Sequence, residues 1–342
     1  MIENEGVRSD EALNCLLCGE KGVTLYSDLR DCLFRAPGKW GLKQCPKCQL
    51  VWLNPLPIPE DIGNLYLQYF THKMPDPRKR PLQSLRKNVT AYILRSKFGY
   101  KVDSPNGTLE SILSRIGLIR ETAESNVMWL KACENGRLLD IGCGNGSFLA
   151  GMKQFGWDVT GVEPDEEAVS ISHERYGLNI FQGSLDEAEF PDDYFDAITM
   201  NHVIEHVLDP VGLLRECRRV LKPGGELIIV TPNINSLGQH IFGKYWRGYE
   251  VPRHFFLFVP KTLRACAEQS GLIVKELKTS ASIARWMWNA SRIIKRDGKL
   301  PGGSPELQGL FPRFEGLAFQ IIEHGLNCRR DVGEEVALVA TK

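Results

Sequence analysis

The chain has 342 residues, with 42 Lys plus Arg against 42 Asp plus Glu and a formal net charge of zero. That balance excludes an overall basic footprint for nucleic acid, and 43% apolar with 25% charged residues is the make-up of a globular protein with a sizeable core. No apolar run reaches the roughly 18 residues of a membrane-spanning helix. The polar, acidic stretch Met1 to Asp10 is expected to carry no export signal, so the ten cysteines read as thiols or metal ligands in a reducing, cytoplasmic setting.

The first motif along the chain is a pair of C-x-x-C knuckles, Cys15/Cys18 and Cys45/Cys48, separated by 26 residues. Two such knuckles can supply four thiolates to a tetrahedral zinc, and a closed four-thiolate site is structural rather than catalytic. Residues 10–55 are therefore expected to form a zinc-ribbon-like module. Cys32, between the knuckles, is not expected to be a ligand. The Asn54-Pro55 step and the aromatic run Leu65-Tyr66-x-x-Tyr69-Phe70 follow. Tyr66 and Tyr69 are either substrate contacts or an aromatic helix face packed on the core.

From Lys73 to Lys101 the chain holds nine Lys or Arg and one Asp. Leu85, Val89, Tyr92, Ile93 and Phe98 within it have helical spacing. Such a helix either lies against an anionic membrane or phosphate, or is a linker that packs its apolar stripe inward. A loop at Ser104-Pro105-Asn106-Gly107 precedes a further helix running to about Cys133. Residues 56–125 form this Tyr-rich and basic helical connector.

From about residue 126 to 342, strand and helix patterns alternate, which implies an α/β domain with a parallel sheet. Leu138-Leu139 leads into Asp140-Ile141-Gly142-Cys143-Gly144-Asn145-Gly146, then a helix start at Ser147. The loop is G-x-G-x-G with a carboxylate at its entrance. A dinucleotide loop, G-x-G-x-x-G, seats a pyrophosphate on the helix N-terminus. A carboxylate there repels pyrophosphate and favours ammonium and sulfonium charge, as in S-adenosylmethionine. Glu163 ends the next strand, where an acid can accept ribose hydroxyls. Asp165 to Tyr176 reads as a helix closed by Gly177, and Asp209-Pro210 starts another. The turn Lys222-Pro223-Gly224-Gly225 precedes a strand from Glu226 to Thr231.

Taken in order, the glycine loop, Glu163, the strand Phe195-Asp196-Ala197 and the Lys-Pro-Gly-Gly turn resemble the class I S-adenosylmethionine-dependent methyltransferases. The resemblance implies a Rossmann-like sheet whose last strand is antiparallel. It also implies cofactor contacts from Asp140, Gly142, Gly144, Gly146, Glu163, Ser184, Leu185 and Asn201. Ser184 departs from the Asp that many members carry. The zinc module and the Tyr-rich segment are similar to those of bacterial sugar C-methyltransferases and enzymes of surface-polysaccharide synthesis. In that subgroup an adjacent Glu-His pair after the fourth strand takes part in acid–base chemistry, and Glu205-His206 matches it. Two insertions, 233–260 and 280–333, are where substrate choice is expected; the first carries Tyr249, Arg253 and His254.

These motifs lead to methyl transfer onto a small molecule or glycan, with His206, Glu205 and His254 as candidate acid–base groups. Tyr66, Tyr69, Tyr249 and Arg253 are the candidate substrate contacts, with Arg253 and the basic connector meeting a diphosphate. The expected location is cytoplasmic, with peripheral contact of the connector on the inner membrane surface left open as one of its two readings. Two alternatives stay open: an RNA methyltransferase that uses the zinc module on RNA, and a non-catalytic cofactor-binding scaffold.

Overall fold

Residues 2–66, 83–103, 107–300, 302–305 and 311–342 are described by the computed structural model of the chain. Tyr69, the 73–82 part of the connector and the loop at 104–106 lie outside the described residues.

The N-terminal segment holds β1 (Ile2–Asn4), β2 (Val7–Asp10), β3 (Val23–Leu29), β4 (Trp40–Gln44), β5 (Val51–Asn54) and β6 (Leu56–Pro57). Three helices follow, α1 (Gln83–Phe98), α2 (Thr108–Leu113) and α3 (Gly117–Ser125). The expected single helix to Cys133 is thus two short ones, because the chain leaves helical geometry at Ile116 and turns left-handed at Met128 and Trp129. On α1, Val89, Ile93, Leu94 and Phe98 are buried, and the helix packs on α2 and α3. Its apolar stripe is therefore packed inside the fold, which is the second of the two readings of this segment.

The alternating region contains β7 (Arg137–Ile141), α4 (Ser147–Gln154), β8 (Asp158–Glu163), α5 (Glu166–Tyr176), β9 (Ile180–Gln182), β10 (Phe195–Asn201), α6 (Pro210–Val220) and β11 (Leu221–Pro232). The chain ends with α7 (Leu237–Phe242), β12 (Phe256–Leu257), α8 (Pro260–Gln269), β13 (Ile273–Ser280), α9 (Ala284–Asp297), α10 (Phe311–Arg330) and β14 (Glu335–Thr341). Seven strands make one sheet in the order β13-β14-β11-β10-β7-β8-β9. β10, β7, β8 and β9 pair in parallel, and the sheet is mixed, with antiparallel strands at its end.

Local chemistry explains the boundaries. Asp165 caps α5 by accepting from the Glu167 and Ala168 amides, and Gly177 closes it at φ 60°. Asp209 accepts from Gly212 N at 2.8 Å ahead of α6. β11 begins at Leu221 rather than at Glu226, and takes in the Lys-Pro-Gly-Gly run with Gly224 at φ 78°.

Contacts divide the chain into two units that cut across the three-part reading. One comprises Met1–Phe70, His202–Leu214 and Val230–Leu338, and the other Thr71–Asn201, Arg215–Ile229 and Val339–Lys342. In the first unit, the 233–260 insertion joins the N-terminal module by a strand. β12 pairs antiparallel with β5, Phe256 opposite Trp52 and Leu257 opposite Val51, in the sheet β12-β5-β4-β3. Beside this strand Arg253 is fully buried. Its Nη1 donates to Asp31 Oδ2 at 2.8 Å and to the Leu65 carbonyl at 3.3 Å. Its Nη2 donates to Asp31 Oδ1 at 3.2 Å and its Nε to Glu250 Oε1 at 3.2 Å.

Arg253 is thus an internal tie and not a diphosphate contact, because its guanidinium faces two carboxylates and no solvent. Breaking a buried pair leaves uncompensated charge and costs about 3–5 kcal/mol. Arg253→Met should therefore lower the unfolding free energy in urea by about 3–5 kcal/mol, whereas Arg30→Met, at an exposed pair with Glu5, should change it by less than about 1 kcal/mol.

Candidate active site and metal centre

The four knuckle cysteines converge in the N-terminal module. Cys15 Sγ lies 3.4 Å from Cys48 Sγ, and Cys18 Sγ 3.4 Å from Cys45 Sγ. The two knuckles are built alike. Gly19 N donates to Cys15 O at 2.9 Å, and Gln49 N to Cys45 O at 3.0 Å. Gly19 and Gln49 are both left-handed, at φ 71° and 75°. This donor set fits a tetrahedral zinc, whose thiolates stand about 3.8 Å apart when each is about 2.3 Å from the metal. Cys32 is elsewhere, packed on the Leu33–Phe34–Ala290–Ile294–Leu300 cluster, and burial pushes its thiol up to about 11.

The second unit holds the glycine loop. Gly142, Gly144 and Gly146 are all left-handed, at φ 65°, 53° and 73°, a conformation that side chains other than glycine resist. A Cβ on Gly146 would stand 2.1 Å from Ser172 Oγ, whereas one on Gly144 would meet nothing within 4 Å. The loop therefore packs tightly on α5 and leaves open space above Gly144, as a ligand cradle requires. Glu163 stiffens the loop from the side. Its Oε2 accepts from Gly144 N at 2.8 Å and its Oε1 from Asp165 N at 3.0 Å. Asp140 is buried and accepts from Thr199 Oγ1 at 2.6 Å. Burial, partly offset by that hydrogen bond, pushes its carboxyl up to about 7, and the Glu163 charge adds to the rise.

The remaining predicted cofactor residues are placed less distinctively. Ser184 is exposed and both its amide and hydroxyl donate to Glu187 Oε2, at 2.7 and 2.8 Å. Leu185 is buried, and Asn201 is the exposed last residue of β10.

The first unit gathers the histidines into three distinct states. His202, left-handed at φ 55°, reaches Glu205 Oε1 with Nδ1 at 3.2 Å and Glu335 Oε1 with Nε2 at 2.9 Å. Burial alone would depress its pKa, but the two carboxylates outweigh it and raise it to about 10. His202 is therefore a lasting imidazolium. Burial would raise Glu205, yet the His202 hydrogen bond and charge bring it down to about 2. Its Oε2 accepts from Thr231 Oγ1 at 2.9 Å.

His254 Nδ1 lies 2.8 Å from the Gly248 carbonyl. A carbonyl only accepts, so Nδ1 carries the proton and Nε2 the lone pair. Burial lowers its pKa to about 3, so His254 is neutral. His206 Nδ1 lies 3.0 Å from the Arg253 carbonyl and 3.1 Å from Tyr66 Oη. By the same argument the His206 lone pair is on Nε2. The two imidazole rings meet edge to face at 4.6 Å.

Glu205, His206 and His254 offer ligand atoms within 4.8 Å of one another. Both oxygens of Glu205 are engaged by His202 and Thr231, and the cluster brings together a fixed carboxylate, the His202 ring held between two carboxylates, and two imidazole lone pairs. Tyr66 belongs to this cluster. Tyr249 does not: it is buried between Tyr26 and Trp246, and its Oη accepts from Gln239 Nε2 at 3.0 Å. That corrects its reading as a substrate contact. Glu335 and Thr231, which hold the cluster, carry no sequence signal beyond their place at strand ends.

Two outcomes follow. Purified protein should contain a single zinc per chain by elemental analysis, and Cys45→Ser should lose it and lower the melting temperature. If Asp140 faces the positive charge of S-adenosylmethionine as expected, affinity should be full about one unit above pH 7 and fall towards tenfold per unit below it, read by calorimetry.

Residues 108–277 match the family described as "Methyltransferase domain". The ubiquinone biosynthesis O-methyltransferase of Stutzerimonas stutzeri (strain A1501) is 31% identical over 158 residues, covering 41% of this chain and 66% of that relative. The enzyme of the same name from Cereibacter sphaeroides (strain ATCC 17025 / ATH 2.4.3) is 35% identical over 117 residues, covering 32% of this chain and 47% of the relative. The chain thus spans less than two thirds of the length of either relative. Among solved structures, a SAM-dependent methyltransferase from Archaeoglobus fulgidus aligns over 73% of this chain and 99% of its own, with 23% identity and a TM-score of 0.43. The glycine loop and Glu163 lie within the stretch that matches this methyltransferase-domain family, and the sheet that carries them is the mixed, Rossmann-like one.

Proposed function

We propose that the protein transfers the methyl group of S-adenosylmethionine to a nucleotide-linked sugar or a surface-polysaccharide intermediate. The observation that carries this reading is the 3.1 Å contact between Tyr66 Oη and His206 Nδ1. It joins the Tyr-rich segment after the zinc module to the Glu205-His206 pair, the two features by which the chain resembles the sugar C-methyltransferases. The bound cofactor supplies a methyl group already activated by its sulfonium, so the chain has to align the acceptor and take its proton.

His206 is placed for the proton transfer. Its Nδ1–H is held by the Arg253 carbonyl and Tyr66 Oη, which turns the basic Nε2 outward. Protonation makes an imidazolium beside the Glu205 carboxylate, which His202 and Thr231 keep ionised and oriented. Neutral His254 walls the cluster with a ring that does not compete for the proton. Arg253 is unavailable for a diphosphate, so recognition of the nucleotide falls to other groups.

The relatives' name favours a second acceptor, a phenolic hydroxyl. Their match covers 41% of this chain at most among those given above. The test is methyl-labelled cofactor offered with a panel of nucleotide sugars and, separately, catechols. Transfer to a sugar supports the proposal, and transfer to catechols alone overturns it in favour of the phenolic reading. His206→Asn should lower kcat by about 10²–10⁴-fold while calorimetry shows unchanged cofactor affinity. Unchanged kcat would remove His206 as the base.

A further inference from the structure

α10 is amphipathic in the wrong sense for a helix on the outside of a protein. Three of its polar side chains, Gln320, Glu323 and Asn327, point inward. Glu323 is fully buried and its Oε1 accepts from Glu334 N at 3.0 Å. Gln320 Nε2 donates to the Ala281 and Ser282 carbonyls at 3.0 and 2.9 Å, and Asn327 Nδ2 to the Thr279 carbonyl at 2.7 Å. Phe319 packs inward on Trp288, but five other apolar side chains point outward. Phe314 is 71% exposed, Ile321 57% and Ile322 56%, with Leu317 and Leu326 also exposed. Successive spacings of three, four, one and four residues place these five on one broad outward arc over about three turns. An apolar face that has no partner among the described residues marks a surface that meets something other than water.

The charges around the arc indicate what covers it. α9, which packs against α10, carries four Lys or Arg and one Asp, and α10 carries three Arg and two Glu. All three acids are committed. Asp297 pairs with Arg296, and Glu315 with Arg292 at 3.2 Å; Glu323 is buried on the inner face. Arg329 and Arg330 stand exposed at the end of the arc, and Lys295 and Lys299 are exposed at the end of α9 and just beyond it. Two copies of this hairpin brought face to face would set like charges against each other, since neither offers an uncommitted helix carboxylate. An apolar arc with a cationic rim fits a surface that is apolar inside and anionic outside. Trp286 on α9, 37% exposed, suits such an interface.

We propose that the outer face of α10 docks on an anionic lipid surface. Membrane contact then belongs to the 280–333 insertion and not to α1, whose stripe is buried. The face enters the acyl boundary through Phe314, Ile321 and Ile322, while Arg329 and Arg330 meet lipid phosphates.

The test is co-sedimentation of the full chain with vesicles of phosphatidylcholine alone and of phosphatidylcholine mixed with phosphatidylglycerol. The mixed vesicles should bind at least about tenfold more protein, and added salt should release part of it. Ile321→Asp combined with Ile322→Asp should abolish binding with no change in melting temperature, because both positions are exposed. Arg329→Glu with Arg330→Glu should reduce binding to the mixed vesicles and leave the melting temperature unchanged. Equal binding to both vesicle types, or none to either, overturns the proposal. So does a lipid-free dimer in analytical ultracentrifugation that the paired aspartates dissociate, since the face would then serve a second copy.

Discussion

Arg253 is the constraint on which the first unit depends. Its guanidinium holds Asp31 from the N-terminal module, Glu250 from the 233–260 insertion and the carbonyl of Leu65. Its own carbonyl faces His206 Nδ1. Asp31 in turn accepts the amides of Leu33, Phe34 and Ala36. A buried ion pair adds little net stability relative to apolar residues of the same size. What it contributes here is position. The arrangement that satisfies Arg253, Asp31 and Glu250 together also puts Tyr66 and His206 within hydrogen-bond reach.

The electrostatics of the histidine cluster follow from which atoms face which. His202 meets two carboxylates and stays charged, His254 meets a carbonyl in a buried place and stays neutral, and His206 has its proton pinned on Nδ1. The left-handed backbone at His202 is a strain that ordinary residues avoid. Turning the chain there, directly after β10, lets the imidazole reach both Glu205 and Glu335.

Features made by local chemistry were legible in the sequence. The glycine loop, Glu163 at its strand end, the Asp165 and Asp209 caps and the cysteine knuckles all act over a few residues, and all were found where expected. Features made by long-range pairing were not legible. Phe256 and Leu257 sit in an unbroken apolar run that shows no alternation, so nothing marked them as the partner strand of β5. Arg253 looks in sequence like any cation in a loop, and its partner Asp31 is 222 residues away. Burial decided between binding and packing for Tyr249 and for α1, and periodicity is the same in either case. α10 lies in the 280–333 insertion, which in the sequence reads only as a place for substrate choice; its apolar residues do not tell which side meets the core, because Gln320, Glu323 and Asn327 find partners inside.

The pairing of β12 with β5 has a consequence for how such a chain can be inherited. A strand of two residues in the insertion completes a sheet built from the first 54 residues, and the ion pair beside it crosses the same divide. The cysteine-bearing segment is therefore not a cassette that recombination can exchange freely. A foreign N-terminal module would have to bring both an edge that accepts Phe256 and a carboxylate at the place of Asp31. A lineage that replaced one without the other would leave Arg253 buried without its carboxylate, at a cost of about 3–5 kcal/mol, so the two segments are expected to change together.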